Sequence, residues 1–192
     1  HNEHRILTAR LLALGLFVAN GGWNPLLQMV VNAALHVGAV LLLVALLARA
    51  LGRGALPALL AFALVLFILP YAWNNTLQAF QSAFYLTLLF SVAGLWLLVT
   101  ARPLSAPWWA GVLAGVLAFF SLVSGLFVFA AAALVGAYFW LSGLRRERAQ
   151  LAAVLVQAAL LAAGAAITPA PEGHAWMKAD SLAQLTEALV AV

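Results

Sequence analysis

The feature that most constrains this chain is a succession of long apolar runs separated by short polar breaks. The runs are Pro25–Ala50, Ala55–Leu69, Thr76–Thr100, Pro107–Val123, Leu126–Leu141 and Leu151–Ile167. A helix crossing about 30 Å of hydrocarbon needs about 20 mostly apolar residues, within a range of about 17–25. The second and fifth runs are short and need help from flanking residues or local thinning of the bilayer. Pro57 and Pro70 bracket the second, where proline suits a helix start and stop. A soluble all-α bundle would need a polar outer face on each helix. With 67% hydrophobic residues, 7% charged residues and a mean hydropathy of +1.09, the chain cannot supply such faces; soluble domains carry about a quarter charged residues. The expected fold is all-α: a polytopic transmembrane helix bundle of about six spans with an N-terminal interfacial helix.

The arginines orient the bundle. Arg49 and Arg53 lie between the first two runs, Arg102 between the third and fourth, and Arg145, Arg146 and Arg148 between the fifth and sixth. With alternating crossings these loops share one side, opposed there by Glu147 alone, and the positive-inside rule makes that side cytoplasmic. The net charge of +4 therefore reflects membrane topology. No basic patch is interleaved with stacking aromatics, which excludes nucleic acid as a partner. Cysteine is absent, so there is no disulfide framework and no thiolate metal site.

The other polar segments, "HNEHR", "PYAWNNTLQAFQ", "SLVSG" and "TPAPEGHAWMKAD", then share the opposite, extracytoplasmic side. Residues 1–24 are expected to be the end of an outer loop running into an interfacial helix. Residues 25–168 form the bundle, and residues 169–192 form an outer segment with the start of a further helix. Ile6 to Ala19 is too short to span, carries Arg10, and is broken by "NGGWNP". Trp23 and Trp176 on the outer side, and Trp108 and Trp109 on the inner, suit headgroup depth.

Polar residues also enter the apolar runs. Gln28, Asn32 and His36 recur every fourth residue and so share a helix face. Gln78, Gln81, Ser82 and Tyr85 form a second stripe. Such stripes either line a polar cavity or join helices by hydrogen bonds. The pattern favours joining for His36 and cavity lining for Gln78 and Gln81. Gly111 and Gly115 make a small-xxx-small pattern that lets helices approach closely. The turn at Ser124-Gly125 presents the Ser121 and Ser124 hydroxyls and backbone N–H groups at a helix start, suited to anionic oxygen, or serves as a plain hairpin turn.

At the chain's opening, His1, Glu3 and His4 do not form the spaced pair of a zinc-binding helix. Glu3 beside His4 and Arg5 is a carboxylate set among cations. Arginine forks onto phosphate oxygens, and a carboxylate can hold a metal-bound water or orient a hydroxyl. Glu3 is the candidate catalytic residue and the candidate ligand for a divalent metal. His4, Arg5, Trp73, Asn75, Gln78, Gln81 and Ser124 are the candidate substrate- or phosphate-binding residues.

"HNEHRILTARLL", "FVANGGWNPLLQMVVN", "YAWNNTLQAFQSAF" and "FFSLVSGLFVF" together resemble bacterial polytopic membrane glycosyltransferases of the GT-C class. The resemblance covers most of the chain in order and spacing. Asn74 stands where relatives often carry Glu, which removes a candidate acid from that loop. The resemblance implies a polyprenyl-phosphate-linked sugar as donor, membrane lipids as surroundings, and a lipid, glycan or protein acceptor on the extracytoplasmic face of a bacterial inner membrane. It makes Glu3 look like the later acidic residue of the first outer loop, and Arg5 or His4 like its phosphate-contacting neighbour. The usual general base would lie upstream of His1, and the chain by itself is expected to be an inactive fragment. A transporter or permease is the alternative, and predicts polar stripes continuing to the cytoplasmic side. A non-enzymatic membrane scaffold is the third reading. The polar residues thin out toward the arginine-rich loops, which favours the first.

Overall fold

The structure, a computed structural model, describes residues 6–68, 81–168 and residue 181. The described residues are helical, with no strand among them. Seven α-helices follow one another among the described residues: α1 Leu7–Asn20, α2 Pro25–Leu51, α3 Leu56–Ile68, α4 Ser82–Thr100, α5 Ala106–Ser121, α6 Phe127–Leu141 and α7 Arg148–Ile167. A 3₁₀ turn, Val123–Leu126, leads into α6.

Helix starts follow their sequence signals. The Asn24 side chain accepts a hydrogen bond from Leu27 N at 3.2 Å, and Pro25 occupies the first turn of α2, where its missing N–H costs nothing. Pro107 plays the same part in α5.

Among the described residues, four segments are long and apolar enough to cross a membrane: Pro25–Leu51, Ser82–Thr100, Val123–Leu141 and Arg148–Ile167. The expected second and fourth spans are the shorter helices α3 and α5, of 13 and 16 residues. At 1.5 Å per residue these reach only about 20 and 24 Å. The third expected span begins at Thr76, and its first five residues fall outside the described residues; the described helix begins at Ser82.

The distribution of polarity is inverted relative to a soluble bundle. Gln28, Asn32, Ser82, Ser121, Gln150 and Gln157 are buried, while Leu26, Val30, Phe62, Phe127 and Leu134 are exposed. Exposed apolar side chains on this scale suit a hydrocarbon surrounding, and membrane-depth polar groups turn to the protein interior.

Packing centres on α4, α5, α6 and α7, with α4 on α5 and α6 on α7 the closest pairs. Trp108, Val112, Ala118, Phe119, Val128, Phe129, Ala132 and Ala153 form the main core. The small-xxx-small pair of α5 meets a third glycine on α4: a Cβ at Gly94 would stand 3.2 Å from both Gly111 O and Gly115 N. At Gly115 a Cβ would stand 2.7 Å from the Phe129 ring. Contact at this distance supplies dispersion in place of the hydrophobic drive that lipid removes.

Trp108 departs from its expected headgroup position. It is 1% exposed in the core, whereas its neighbour Trp109 is 49% exposed. Successive residues lie about 100° apart on a helix, so one of the pair faces inward and the other outward.

Candidate functional site

The N-terminal ends of α2 and α4 come together, so these two helices run parallel. Gln28 Nε2 donates to Ser82 Oγ at 2.5 Å, and Ser82 Oγ donates to Asn32 Oδ1 at 2.6 Å. All three residues are at most 2% exposed. Four-residue spacing puts Gln28 and Asn32 one turn apart on a single face, and Ser82 sits between their side chains. One turn further in, the His36 and Tyr85 rings stack with centroids 4.8 Å apart and planes at 23°. Ser82 and Tyr85 of the second stripe therefore meet the first. Gln28 Oε1 is buried with no hydrogen-bond partner among the described residues.

Helix α1 closes the same end. Thr8 Oγ1 and Ser121 Oγ lie 2.6 Å apart, and Ser121 Oγ also donates to Leu117 O. Ala9 packs with Ala83, Leu86 and Leu122 in a small apolar cluster. Ser121 is thus spent on holding α1 rather than offered at a turn. Ser124 is exposed on the 3₁₀ turn, away from that contact. Gly125 explains the tightness of the turn: a Cβ there would overlap the backbone of Ala118 and Phe119.

Of the residues expected to act, Gln81 and Ser124 are described. Gln81 is the N-cap of α4, directly beside Ser82. Glu3, His4, Arg5, Trp73, Asn75 and Gln78 lie outside the described residues. Among the described residues no three or more His, Cys, Asp or Glu side chains gather to hold a metal.

The opposite end carries features that sequence reasoning missed. Arg145, in the α6–α7 loop, donates to Val99 O at 3.0 Å and Ala101 O at 3.4 Å, and its guanidinium lies 5.2 Å from the centre of the Phe139 ring. It caps the C-terminal carbonyls of α4, where a cation also meets the negative end of the helix dipole. The α4–α5 loop beside it holds Leu104 at φ 62, a left-handed conformation costly for a branched side chain.

On α7, Gln150 and Gln157 are 5% and 2% exposed. Gln150 Nε2 donates to Gly136 O at 3.2 Å, but Oε1 of both glutamines is buried with no partner among the described residues. Their seven-residue spacing puts them on one face, the signal that could have found them. They also correct the expectation that polarity thins toward the arginine-rich loops.

No family model matches the chain, and comparison with curated proteins and with solved structures gives no match either.

Proposed function

We propose that this chain serves glycosyl transfer in a bacterial inner membrane, on the extracytoplasmic face, from a polyprenyl-phosphate sugar to a lipid, glycan or protein acceptor. In this reading the short helices α3 and α5 complete a six-span bundle, and α1 lies in the outer interface. The observation that carries it is the hydrogen-bonded set Gln28–Ser82–Asn32, with Thr8–Ser121 beside it, at the end of the bundle opposite the loops that hold Arg102 and Arg145. That end is where the resemblance to GT-C glycosyltransferases puts the chemistry. Glu3 is assigned as a carboxylate orienting the acceptor or holding a metal-bound water, and Arg5 as a stabiliser of the leaving phosphate. Displacement at the anomeric carbon needs a base for the acceptor's proton and positive charge on the leaving group.

The test is a Glu3→Gln variant made in the full-length protein, expressed in its own membrane and assayed for sugar transfer from a polyprenyl-phosphate donor. Loss of transfer at normal expression is expected. Unchanged transfer would refute the role of Glu3.

One observation favours the permease as a second reading: Gln150 and Gln157 extend buried polarity toward the arginine-rich end. It predicts solute flux that depends on Gln157 and not on Glu3.

A further inference from the structure

Two cavities at the arginine-rich end meet at one residue. An apolar groove of about 380 Å³ runs between α2, α4 and α6, walled by Leu43, Leu47, Leu95, Trp96, Val99 and Val135, and it ends at Thr100. A polar cavity of about 320 Å³ lies between the α4–α5 and α6–α7 loops, walled by Thr100, Arg102, Pro103, Arg145, Glu147 and Gln150. Thr100 closes the first and opens the second.

We propose that the two cavities together hold one anionic phospholipid, its acyl chain in the groove along α4 and its phosphate headgroup against Arg102 and Arg145. Three features carry this. The groove wall is almost wholly apolar and faces outward from the bundle, where lipid would surround it. The polar cavity bears two guanidiniums against one carboxylate, with Arg146 and Arg148 adjacent in sequence. Basic pockets between membrane helices on this side attract anionic headgroups for the same electrostatic reason.

The two arginines divide the work. Arg145 is fixed by the α4 carbonyls and the Phe139 ring, so it presents a guanidinium whose ordering cost is already met. Arg102 is exposed, and its side chain makes no hydrogen bond or ion pair among the described residues. It is therefore free to fork onto a phosphate. A soluble anion would account for the arginines but not for an apolar groove leading to them. The inference rests on the bundle's lying in a membrane and is independent of glycosyl transfer.

Trp96, in the groove wall, supplies the reporter. The chain is reconstituted in phosphatidylcholine vesicles containing a minor fraction of brominated phosphatidylglycerol or, in parallel, brominated phosphatidylcholine. Quenching at Trp96 is the difference between the chain and its Trp96→Phe variant. Several-fold preferential quenching by the brominated anionic lipid is expected. Arg102→Gln should lower that preference about fivefold, the contribution of one arginine near an anionic surface. Arg102→Lys should retain most of it. Arg53→Gln, on the same side but lining neither cavity, should leave it unchanged.

Ala131 also lines the groove, and Ala131→Phe, which fills it without altering charge, should abolish the preference. It keeps the test independent of how Arg102 variants fold. Equal quenching by the two lipids would overturn the proposal, as would equal losses in Arg102→Gln and Arg53→Gln. Loss of the preference in millimolar inorganic phosphate would also overturn it, by making the occupant a free anion.

Discussion

Replacing Gln157 by leucine should stabilise this chain. Gln157 is 2% exposed on α7, and its Oε1 has no hydrogen-bond partner among the described residues. A buried acceptor left without a donor costs about 1–3 kcal/mol. Leucine nearly matches glutamine in volume, keeps high helix propensity and removes the polar atoms. The expected gain is the recovered penalty, about 1–3 kcal/mol. Gln150 serves as the control, because it combines an orphaned Oε1 with a hydrogen bond from Nε2 to Gly136 O at 3.2 Å. In Gln150→Leu the recovered penalty is offset by about 0.5–1.5 kcal/mol for the lost bond, so the net change should be smaller than for Gln157→Leu. The measurement is denaturant unfolding in one mixed-micelle system, followed by tryptophan fluorescence for the chain and both variants. If Gln157→Leu is destabilised by about 1 kcal/mol or more, Gln157 Oε1 has a donor and carries no unpaired-acceptor penalty.

Three further experiments probe the other contacts. Ser82→Ala and Asn32→Leu, combined in a double-mutant cycle, should show coupling of about 0.5–1.5 kcal/mol, because Ser82 Oγ donates to Asn32 Oδ1 at 2.6 Å; additivity would mean the bond contributes nothing. Gly125→Ala should cost about 3 kcal/mol, since its Cβ meets the Ala118 backbone, and should lower the yield of monodisperse protein in detergent. Arg145→Gln should cost about 1–2 kcal/mol by uncapping the carbonyls of Val99 and Ala101, while exposed Arg146→Gln changes unfolding little.

How far the sequence predicts these contacts depends on their range. Local signals act within a few residues, so Asn24-Pro25 locates the start of α2 without any knowledge of its neighbours. The four-residue spacing of Gln28, Asn32 and His36 likewise fixes a shared face. What that face meets is a tertiary matter: the stripe on α2 could have lined a cavity, and it bonds Ser82 instead. Arg145 reads from sequence as a topology marker, and its capping role needs the end of α4 brought within 3.0 Å from 46 residues away. Gln150 and Gln157 escaped notice because two amides in a strongly apolar helix barely disturb its hydropathy. Most of the expected site, Glu3 to Arg5 and Trp73 to Gln78, lies outside the described residues, so its geometry rests on sequence alone.

The two proposed sites are joined by one helix. Ser82 begins α4 at the amide cluster and Thr100 ends it at the groove. Its 19 residues at 1.5 Å rise span about 28 Å as a single rod. Between them, Gly94 fits against the backbone of Gly111 and Gly115, so α4 is held in register on α5 by atoms that cannot rotate aside. A Cβ at Gly94 would stand 3.2 Å from two backbone atoms, a separation relieved only by moving the helices apart. Gly94→Ala should therefore cost about 1–3 kcal/mol. It should also weaken the Ser82–Asn32 coupling and the anionic-lipid preference together, although it touches neither site. A loss confined to one end would show that α4 bends between the two sites and does not transmit the displacement as a rod.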